Sequence, residues 1–222
     1  MDLPYFEHIV GDRRYGNAAA KTFSRYVHWG VWPQLGGART RKADFVEAME
    51  RLDDIVTHGA KLSDGMAVLD VGCGLGGTLS RVSERLPDTR LVGVNLDHRQ
   101  LVNAVKSQAT FVCADGCALP ARSASFDAVL AVECIFHFPS RQEFLTEAAR
   151  VLKPGGRLSL SDFVPDPIDG QESPVGQWCA RQIGKEYGFT AGWPDGDYEA
   201  MARRAGLVVE QNDDLTARTL PT

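Results

Sequence analysis

The sequence predicts an α/β protein built on a doubly wound, mostly parallel sheet, and two observations support that prediction. Short apolar runs alternate with amphipathic stretches of helical length between residues 61 and 163, as in parallel strands joined by crossover helices. A glycine-rich turn, Gly72-Cys73-Gly74-Leu75-Gly76-Gly77, separates the first of these strands from the helix that follows. Ligands of such sheets bind at the carboxyl ends of the strands, where the strand order reverses.

The composition is that of an ordinary globular chain that forms one domain. Of the 222 residues, 44% are hydrophobic and 24% are charged, with a formal net charge of -5. The acidic balance argues against nucleic-acid binding, and no apolar run is long enough to span a bilayer. The opening MDLPYFEHIVGD is not a signal peptide, and the five cysteines show no zinc-type pairing. We therefore expect a cytoplasmic protein with reduced thiols, no metal site and no nucleic-acid or membrane partner.

The N-terminal part is predicted to be a helical cap over residues 1–60. Between about Thr40 and His58, apolar residues recur at the spacing of an amphipathic helix. From Arg13 to Lys42 the chain carries seven basic residues and no carboxylate. This stretch is interpreted as a solvated helical surface, with a docking strip for an anionic ligand as the alternative.

The strands and helices of the predicted core follow in alternation over residues 61–163. The predicted strands are MAVLDV, LVGVNL, TFVCAD, SFDAVLAVE and GRLSLSDF, and the predicted helices run over 78–86, 98–108 and 141–152. Residues 164–195 are rich in proline, glycine and aromatic residues, which favours a partly helical lid over a binding site. A surface excursion packed on the sheet is the alternative. Residues 196–222 are expected to form the last helix and strand of a single domain, 1–222.

The glycine loop indicates a nucleotide-like ligand, and its surroundings narrow the choice. The pattern G-x-G-x-x-G, with Asp97 twenty residues beyond Gly77, is shared by several cofactor families. Asp70 ends the first strand, where its carboxylate would receive an ammonium group and would repel a pyrophosphate. Asp115 ends the third strand and suits an adenine amino group. These carboxylates favour S-adenosylmethionine over a nicotinamide dinucleotide.

The combined motifs resemble the class I S-adenosylmethionine-dependent methyltransferases, which have a Rossmann-like fold. The resemblance rests on VLDVGCGLGG, ADGCALP, SFDAVLAVE, HFPSR and RVLKPGGRLSLSDF, between Met66 and Phe163. Within the class, the chain resembles the small-molecule subgroup of sugar, sterol, tocopherol and antibiotic methyltransferases. Its HWGVW segment, His28 to Trp32, is similar to an aromatic-glycine motif that these enzymes carry before their core. The resemblance implies methyl transfer from S-adenosylmethionine to a hydroxyl of a secondary metabolite or lipid-like compound, with S-adenosylhomocysteine as product.

The same resemblance assigns the cofactor site. The glycine loop would hold the methionine and ribose, the end of strand two the ribose hydroxyls, and the end of strand three the adenine. Asn95 stands where the family often has an acidic residue, with Gln100 as its helper, and Glu133 would lie near the methionine tail. The cofactor-binding residues implied are Asp70, Gly72, Cys73, Gly74, Asn95, Leu96, Gln100, Asp115, Gly116, Cys117 and Glu133.

Two residues are predicted to act on the acceptor as catalytic groups. The sulfonium is an activated donor, so transfer requires orientation and, for a hydroxyl, removal of its proton. His137 follows strand four and Asp162 lies near the end of strand five, so we expect a His–Asp pair at the mouth of the pocket. The alternatives are a helix-capping role for His137 and an ordinary polar strand end for Asp162. Phe136 and Trp29 imply an apolar or aromatic acceptor pocket.

Other functions and the end of the chain are less closely determined by the motifs. Methylation of a small molecule at carbon or nitrogen, an RNA or protein methyltransferase, and a non-methylating cofactor-binding module are the alternatives.

Residues 207–213 are typical of strand six of the class I fold, and few residues follow for a helix and a seventh strand. We therefore expect a fragment of a longer protein. Association of copies through the open sheet edge, or a rearranged edge, is the alternative.

Overall fold

The computed structural model describes residues 24–33, 42–164 and 197–219. These residues form a five-stranded sheet flanked by helices. In chain order the elements are α1 (Lys42–Gly59), β1 (Ala67–Val71), α2 (Gly77–Arg85), β2 (Arg90–Asn95), α3 (His98–Val102), β3 (Thr110–Cys113), β4 (Phe126–Val132), α4 (Arg141–Val151), β5 (Leu152–Ser161), α5 (Tyr198–Arg204) and α6 (Thr216–Thr219).

The sheet is parallel throughout, with the strand order β3-β2-β1-β4-β5. The chain builds outward from β1 through β2 to β3, then returns to the other side of β1 for β4 and β5. The strand order therefore reverses between β1 and β4, where Asp70 lies beside Leu130 and, on its other side, Gly93. The predicted doubly wound parallel fold is confirmed, and this reversal is where a ligand is expected.

Each face of the sheet has its own apolar core. Alternate residues of a strand point to opposite faces, so Leu69 packs with Phe144 of α4 and Met201 of α5, whereas Val68 packs with Leu52 of α1. Helix α2 also belongs to the face of α1. Because strands buried on both faces are apolar at nearly every position, β1 reads as an uninterrupted hydrophobic run apart from one carboxylate.

Helix α3 and strand β5 depart from their predicted bounds for identifiable reasons. The helix predicted over 98–108 ends at Val102, because the Val105 N–H donates to the Leu75 carbonyl of the glycine loop at 2.8 Å. That bond draws the chain away from the helix axis. Strand β5 begins at Leu152, before the predicted start at Gly156, and a register shift between Phe126 and Ala128 accommodates the extra residues.

The sixth strand predicted over 207–213 is wrong for the structure. The Leu207 N–H donates to the Ala202 carbonyl at 2.8 Å, which completes the end of α5, and Val208 is 88% exposed. The Glu210 side chain pairs with Arg157 of β5 at 2.7 Å, and in the described residues its backbone forms no hydrogen bond with β5. A strand is stable only within a ladder of neighbours, and no further strand stands beyond β5 in the described ranges.

The predicted lid and basic stretch fall largely outside the described residues, whereas most of the cysteines lie within them. The predicted lid from residue 165 onward lies outside, as do residues 13–23 and 34–41 of the basic stretch. Cys73, Cys113, Cys117 and Cys134 are free thiols. Across the residues described, no helix is long and apolar enough to cross a membrane, and no three His, Cys, Asp or Glu side chains cluster as metal ligands.

Candidate active site

The glycine loop closes tightly over the carboxyl ends of β1 and β2. Gly72, Gly74 and Gly76 have φ angles of 74°, 54° and 74°, in the left-handed region that favours glycine. The N–H groups of Gly72 and Cys73 both donate to the Val94 carbonyl, at 2.8 and 3.0 Å. A Cβ on Gly72 would lie 2.5 Å from the Cys134 side chain. Glycine is therefore required for this close approach.

Asp70 presents a buried carboxylate at the point where the strand order reverses. Asp70 is 1% exposed, and its Oδ2 has no hydrogen-bond partner in the described structure. Burial, reinforced by the nearby Asp53 carboxylate, raises the pKa of Asp70 well above its usual range. A cationic ligand group beside Asp70 stabilises the ionised form of this buried side chain.

Asn95 and Gln100 flank the other side of the loop. The Gln100 amide is buried, and its Oε1 lies 3.5 Å from the position of a Cβ on Gly74. The Asn95 Nδ2 donates a long hydrogen bond to the Asp97 carbonyl, at 3.4 Å. The Asp97 carboxylate itself is engaged at the start of α3, where it accepts from the Arg99 N–H and pairs with its guanidinium at 2.8 Å. Gln100 is therefore positioned beside the glycine loop, whereas the Asp97 carboxylate is bound to Arg99.

The turn after β3 forms a third part of the pocket rim. Asp115 Oδ1 accepts from the Cys117 N–H at 2.8 Å, which fixes the orientation of the carboxylate. A Cβ on Gly116 would lie 2.9 Å from the Phe138 ring, so glycine allows this ring to pack against the turn. Leu96 is half exposed at the end of β2. The turn thus combines a fixed acidic group with nearby apolar surface, as an adenine ring requires.

Glu133 connects the end of β4 to the N-terminal segment 24–33. Its φ of 45° is strained for a residue with a side chain, and its Oε2 accepts from the Trp29 N–H at 2.6 Å. Burial raises the pKa of Glu133, while the His28 imidazole and the Trp29 N–H act in the opposite direction. Two predicted site residues, one for the cofactor and one for the acceptor, are thereby held together.

A buried polar group behind the loop was missed by sequence reasoning. Asp53 is 0% exposed, accepts from the Thr78 hydroxyl at 2.7 Å, and lies 3.7 Å from the His28 Nε2. Burial raises its pKa, opposed first by His28 and then by Thr78. The available signal was the position of Asp53, four residues after Met49, on the apolar stripe of a predicted helix.

His137 lies on a short 3₁₀ turn, Ile135–His137, at the carboxyl end of β4. The ring centroids of His137 and Phe136 are 4.1 Å apart, and the Phe136 ring makes an edge contact with Phe163 at 5.3 Å. The Ser140 hydroxyl caps α4 by accepting from the backbone N–H of its first turn. The helix-capping role considered for His137 therefore belongs to Ser140. The rings of Phe136 and Phe163 form an aromatic wall, and His137 lies against the Phe136 ring.

Asp162 is held by two partners other than His137, so the predicted His–Asp pair is not formed among the described residues. Its Oδ2 accepts from the Arg141 Nε and from the Tyr198 hydroxyl, each at 2.6 Å. Burial raises the pKa of Asp162, and the Tyr198 and Arg141 donors oppose that shift. The sequence could not reveal Tyr198 as a partner, because it lies 36 residues further along the chain.

Comparison with known proteins decides the family. A family model described as a methyltransferase domain matches residues 69–160. The 27-O-demethylrifamycin SV methyltransferase of Amycolatopsis mediterranei is 34% identical over 206 residues, covering 88% of this chain and 71% of that protein. Methyltransferase GfsG of Streptomyces halstedii is 30% identical over 210 residues, covering 90% and 72%. This chain belongs to the class I S-adenosylmethionine-dependent methyltransferases. The predicted family, enzyme type and cofactor are thereby confirmed.

Solved structures share the fold of this methyltransferase. A geranyl diphosphate C-methyltransferase from Streptomyces coelicolor superposes with a TM-score of 0.76 at 21% identity, covering 98% of this chain and 85% of that one. The [4+2]-cyclase SpnF superposes with a TM-score of 0.75 at 23% identity, covering 99% and 76%. At these identities the likeness concerns the fold, which accommodates different chemistries.

The residues of this methyltransferase fit S-adenosylmethionine, which supplies an electrophilic methyl group when bound. Asp70 Oδ2 is a buried acceptor suited to the methionine ammonium. A Cβ on Gly72 would collide with Cys134, and one on Gly74 would lie 3.0 Å from Val27, so a side chain at either position is strained. Gln100 lies beside that loop, and the oriented carboxylate of Asp115 suits the adenine amino group.

Proposed function

We propose that this methyltransferase methylates a hydroxyl group of an apolar secondary metabolite or lipid-like compound. The observation that carries the proposal is the position of His137 at the carboxyl end of β4, beside the Phe136–Phe163 ring pair. An imidazole is a common general base near neutral pH, and a pair of aromatic rings favours an apolar acceptor. The relative that acts on 27-O-demethylrifamycin SV supports oxygen as the methylated atom.

In this proposal each side chain has a defined task. His137 accepts the proton of the acceptor hydroxyl as its oxygen becomes nucleophilic. Phe136 and Trp29 line the acceptor pocket, and Glu133 holds the Trp29 backbone at 2.6 Å. Asp162 stabilises the wall, because its Oδ2 accepts from both Arg141 and Tyr198.

Methylation at carbon is the second candidate, and the ring pair favours it as well. Transfer of a methyl cation to an alkene leaves a carbocation, which aromatic faces stabilise through cation–π attraction. Phe136 and Phe163, with centroids 5.3 Å apart, offer such faces at the end of the sheet. This reaction gives His137 the later task of removing a proton from the cation.

The test combines a product analysis with one substitution. The protein is incubated with S-adenosylmethionine and a panel of phenols, sterols and macrolide alcohols, and S-adenosylhomocysteine release and product structure are determined. We expect an O-methyl product. A C-methyl product would overturn the assignment to oxygen, and cofactor binding with no release from any acceptor would point to a non-methylating member of the fold.

The substitution His137→Ala tests the general base. We expect kcat to fall by about 100- to 10,000-fold, with the Kd for S-adenosylhomocysteine unchanged, because proton removal acts in the transition state. His98→Ala, in an exposed histidine at the start of α3, is the matched control and should retain wild-type kcat. Near-normal turnover of His137→Ala would refute its role as base.

A further inference from the structure

A buried ionic cluster joins three elements next to the proposed acceptor wall. Asp162, just beyond β5, accepts from Arg141 of α4 and Tyr198 of α5, each at 2.6 Å. The side chains of Arg141 and Asp162 are 6% and 1% exposed. Both donors bind the same oxygen, Oδ2, and Oδ1 has no hydrogen-bond partner in the described part of the chain.

The cluster is connected directly to the aromatic wall. The Arg141 guanidinium binds two groups at once, because its Nη2 also donates to the Phe163 carbonyl at 2.9 Å. That bond fixes the backbone that carries the Phe163 ring. The ring in turn makes an edge contact with Phe136, whose own ring lies against His137. A displacement of Asp162 or Arg141 is therefore transmitted to the wall within two contacts.

We propose that Tyr198, with Asp162 and Arg141, is a positioning residue that sets acceptor affinity by holding Phe163 in the wall. The proposal rests on the proposed function, since it takes the Phe136–Phe163 wall as the acceptor site. Tyr198 touches neither reacting group in this arrangement. Its hydroxyl supplies one of the two donors that favour the ionised form of a buried carboxylate and hold it in register with Arg141, and a fork-shaped guanidinium requires that register.

Electrostatics make this arrangement sensitive to the loss of one donor. Asp162 faces Arg141 from α4, Tyr198 from α5, and Glu133 and Cys134 from the end of β4. Burial raises the pKa of Asp162, and the Tyr198 hydroxyl is the first of the groups that oppose the rise. Removing that hydroxyl raises the pKa further, so the carboxylate becomes protonated at a higher pH as the pH falls. Protonation weakens the hold on Arg141 and hence on Phe163.

The experiment compares Tyr198→Phe with Arg204→Met in the complete chain. Arg204 also lies on α5, and its Nε donates to Gln142 of α4 at 2.7 Å on the exposed surface, away from Asp162. We expect Tyr198→Phe to raise the acceptor KM by at least about fivefold and to move the acid limb of kcat/KM to higher pH. The Kd for S-adenosylhomocysteine should stay within about twofold in both variants. Arg204→Met should retain the wild-type KM and pH profile.

Two outcomes overturn the proposal. One is an unchanged acceptor KM and pH profile in Tyr198→Phe; the other is an equal change in both variants, which shows that only helix docking matters. Should Tyr198→Phe fail to fold, Arg141→Lys, which keeps the charge and loses the fork, replaces it, with the same two readouts. If wild type transfers no methyl group to any acceptor of the panel, the proposed function fails on its own. Amide exchange at Phe163 then decides the positioning role: faster exchange in Tyr198→Phe than in Arg204→Met supports it, and equal rates refute it.

Discussion

The substitution Asp70→Asn is expected to move cofactor affinity and cofactor-free stability in opposite directions. The carboxylate is buried, its Oδ2 has no hydrogen-bond partner among the residues described, and Asp53 adds a nearby like charge. Burial and this repulsion raise the pKa of Asp70, so the ionised form destabilises the free protein. Asparagine keeps the shape and removes the charge. The free energy of unfolding of the cofactor-free protein should therefore increase, while the cofactor loses its counter-ion.

Both changes have an expected size. A hydrogen bond to a charged group contributes about 1.5–3 kcal/mol, so losing the charge at Asp70 should raise the Kd for S-adenosylhomocysteine by about 10- to 150-fold. For a chain of this length, each kcal/mol of recovered stability raises Tm by about 2–4 °C. The variant should thus melt higher than wild type without ligand and bind the cofactor more weakly.

The pH dependence separates charge from shape. The folded-state pKa of Asp70 is raised, so ionisation of Asp70 costs no stability below the ordinary carboxyl pKa. The loss of stability grows as the pH rises from that value through the raised pKa. The increase in Tm caused by Asp70→Asn should be largest at alkaline pH and should disappear toward about pH 4. Asp127→Asn is a control of opposite sign: the Ala67 N–H and Lys153 lower the pKa of Asp127, so its loss should decrease Tm at neutral pH and leave cofactor binding intact.

Thermal melts across this pH range and calorimetry with S-adenosylhomocysteine provide the two measurements. A lower Tm of Asp70→Asn at every pH would refute the electrostatic argument. A Kd within about twofold of wild type would refute the role of Asp70 as the partner of the ammonium group.

Two further substitutions test the loop and the N-terminal segment. Gly72→Ala should lower the free energy of unfolding in urea more than Gly155→Ala does, because both glycines have positive φ, 74° and 77°, and only at Gly72 would the Cβ meet a neighbour; equal losses would contradict the packing argument. Glu133→Leu should speed amide exchange at Trp29 and raise the acceptor KM, since it removes the acceptor of a 2.6 Å bond, whereas Glu133→Gln keeps an acceptor oxygen and should do neither.

The sheet and the cofactor loop could be predicted because their signals are local. An apolar run such as β1, one carboxylate and a glycine turn are contiguous in the sequence, and each position in the loop follows from its neighbours. Helix α3 was predicted too long for the opposite reason. Its end depends on the Val105 N–H meeting the Leu75 carbonyl, thirty residues away, and nothing in the spacing of residues 98–108 indicates that contact.

For the proposed acceptor site, the sequence predicts where the residues lie and not which residues they contact. The sequence places His137 and Asp162 correctly at the ends of adjacent strands. It could not show that Arg141 and Tyr198 would occupy the carboxylate, since the choice among donors depends on how α4 and α5 pack on the sheet. The same limit applies to the contact of His28 with the buried Asp53, because no sequence pattern links segment 24–33 to α1.

The buried carboxylates around the loop explain why this pocket suits a cationic donor. Burial raises the pKa values of Asp53, Asp70 and Glu133, and the nearby His28 imidazole opposes the rise at Asp53 and Glu133. In their ionised form these carboxylates give the pocket a negative potential, and a ligand with sulfonium and ammonium charges favours that form. Transfer of the methyl group removes the sulfonium charge and leaves a neutral sulfide. We therefore expect these carboxylates to attract the donor more strongly than the product, which favours release after the reaction.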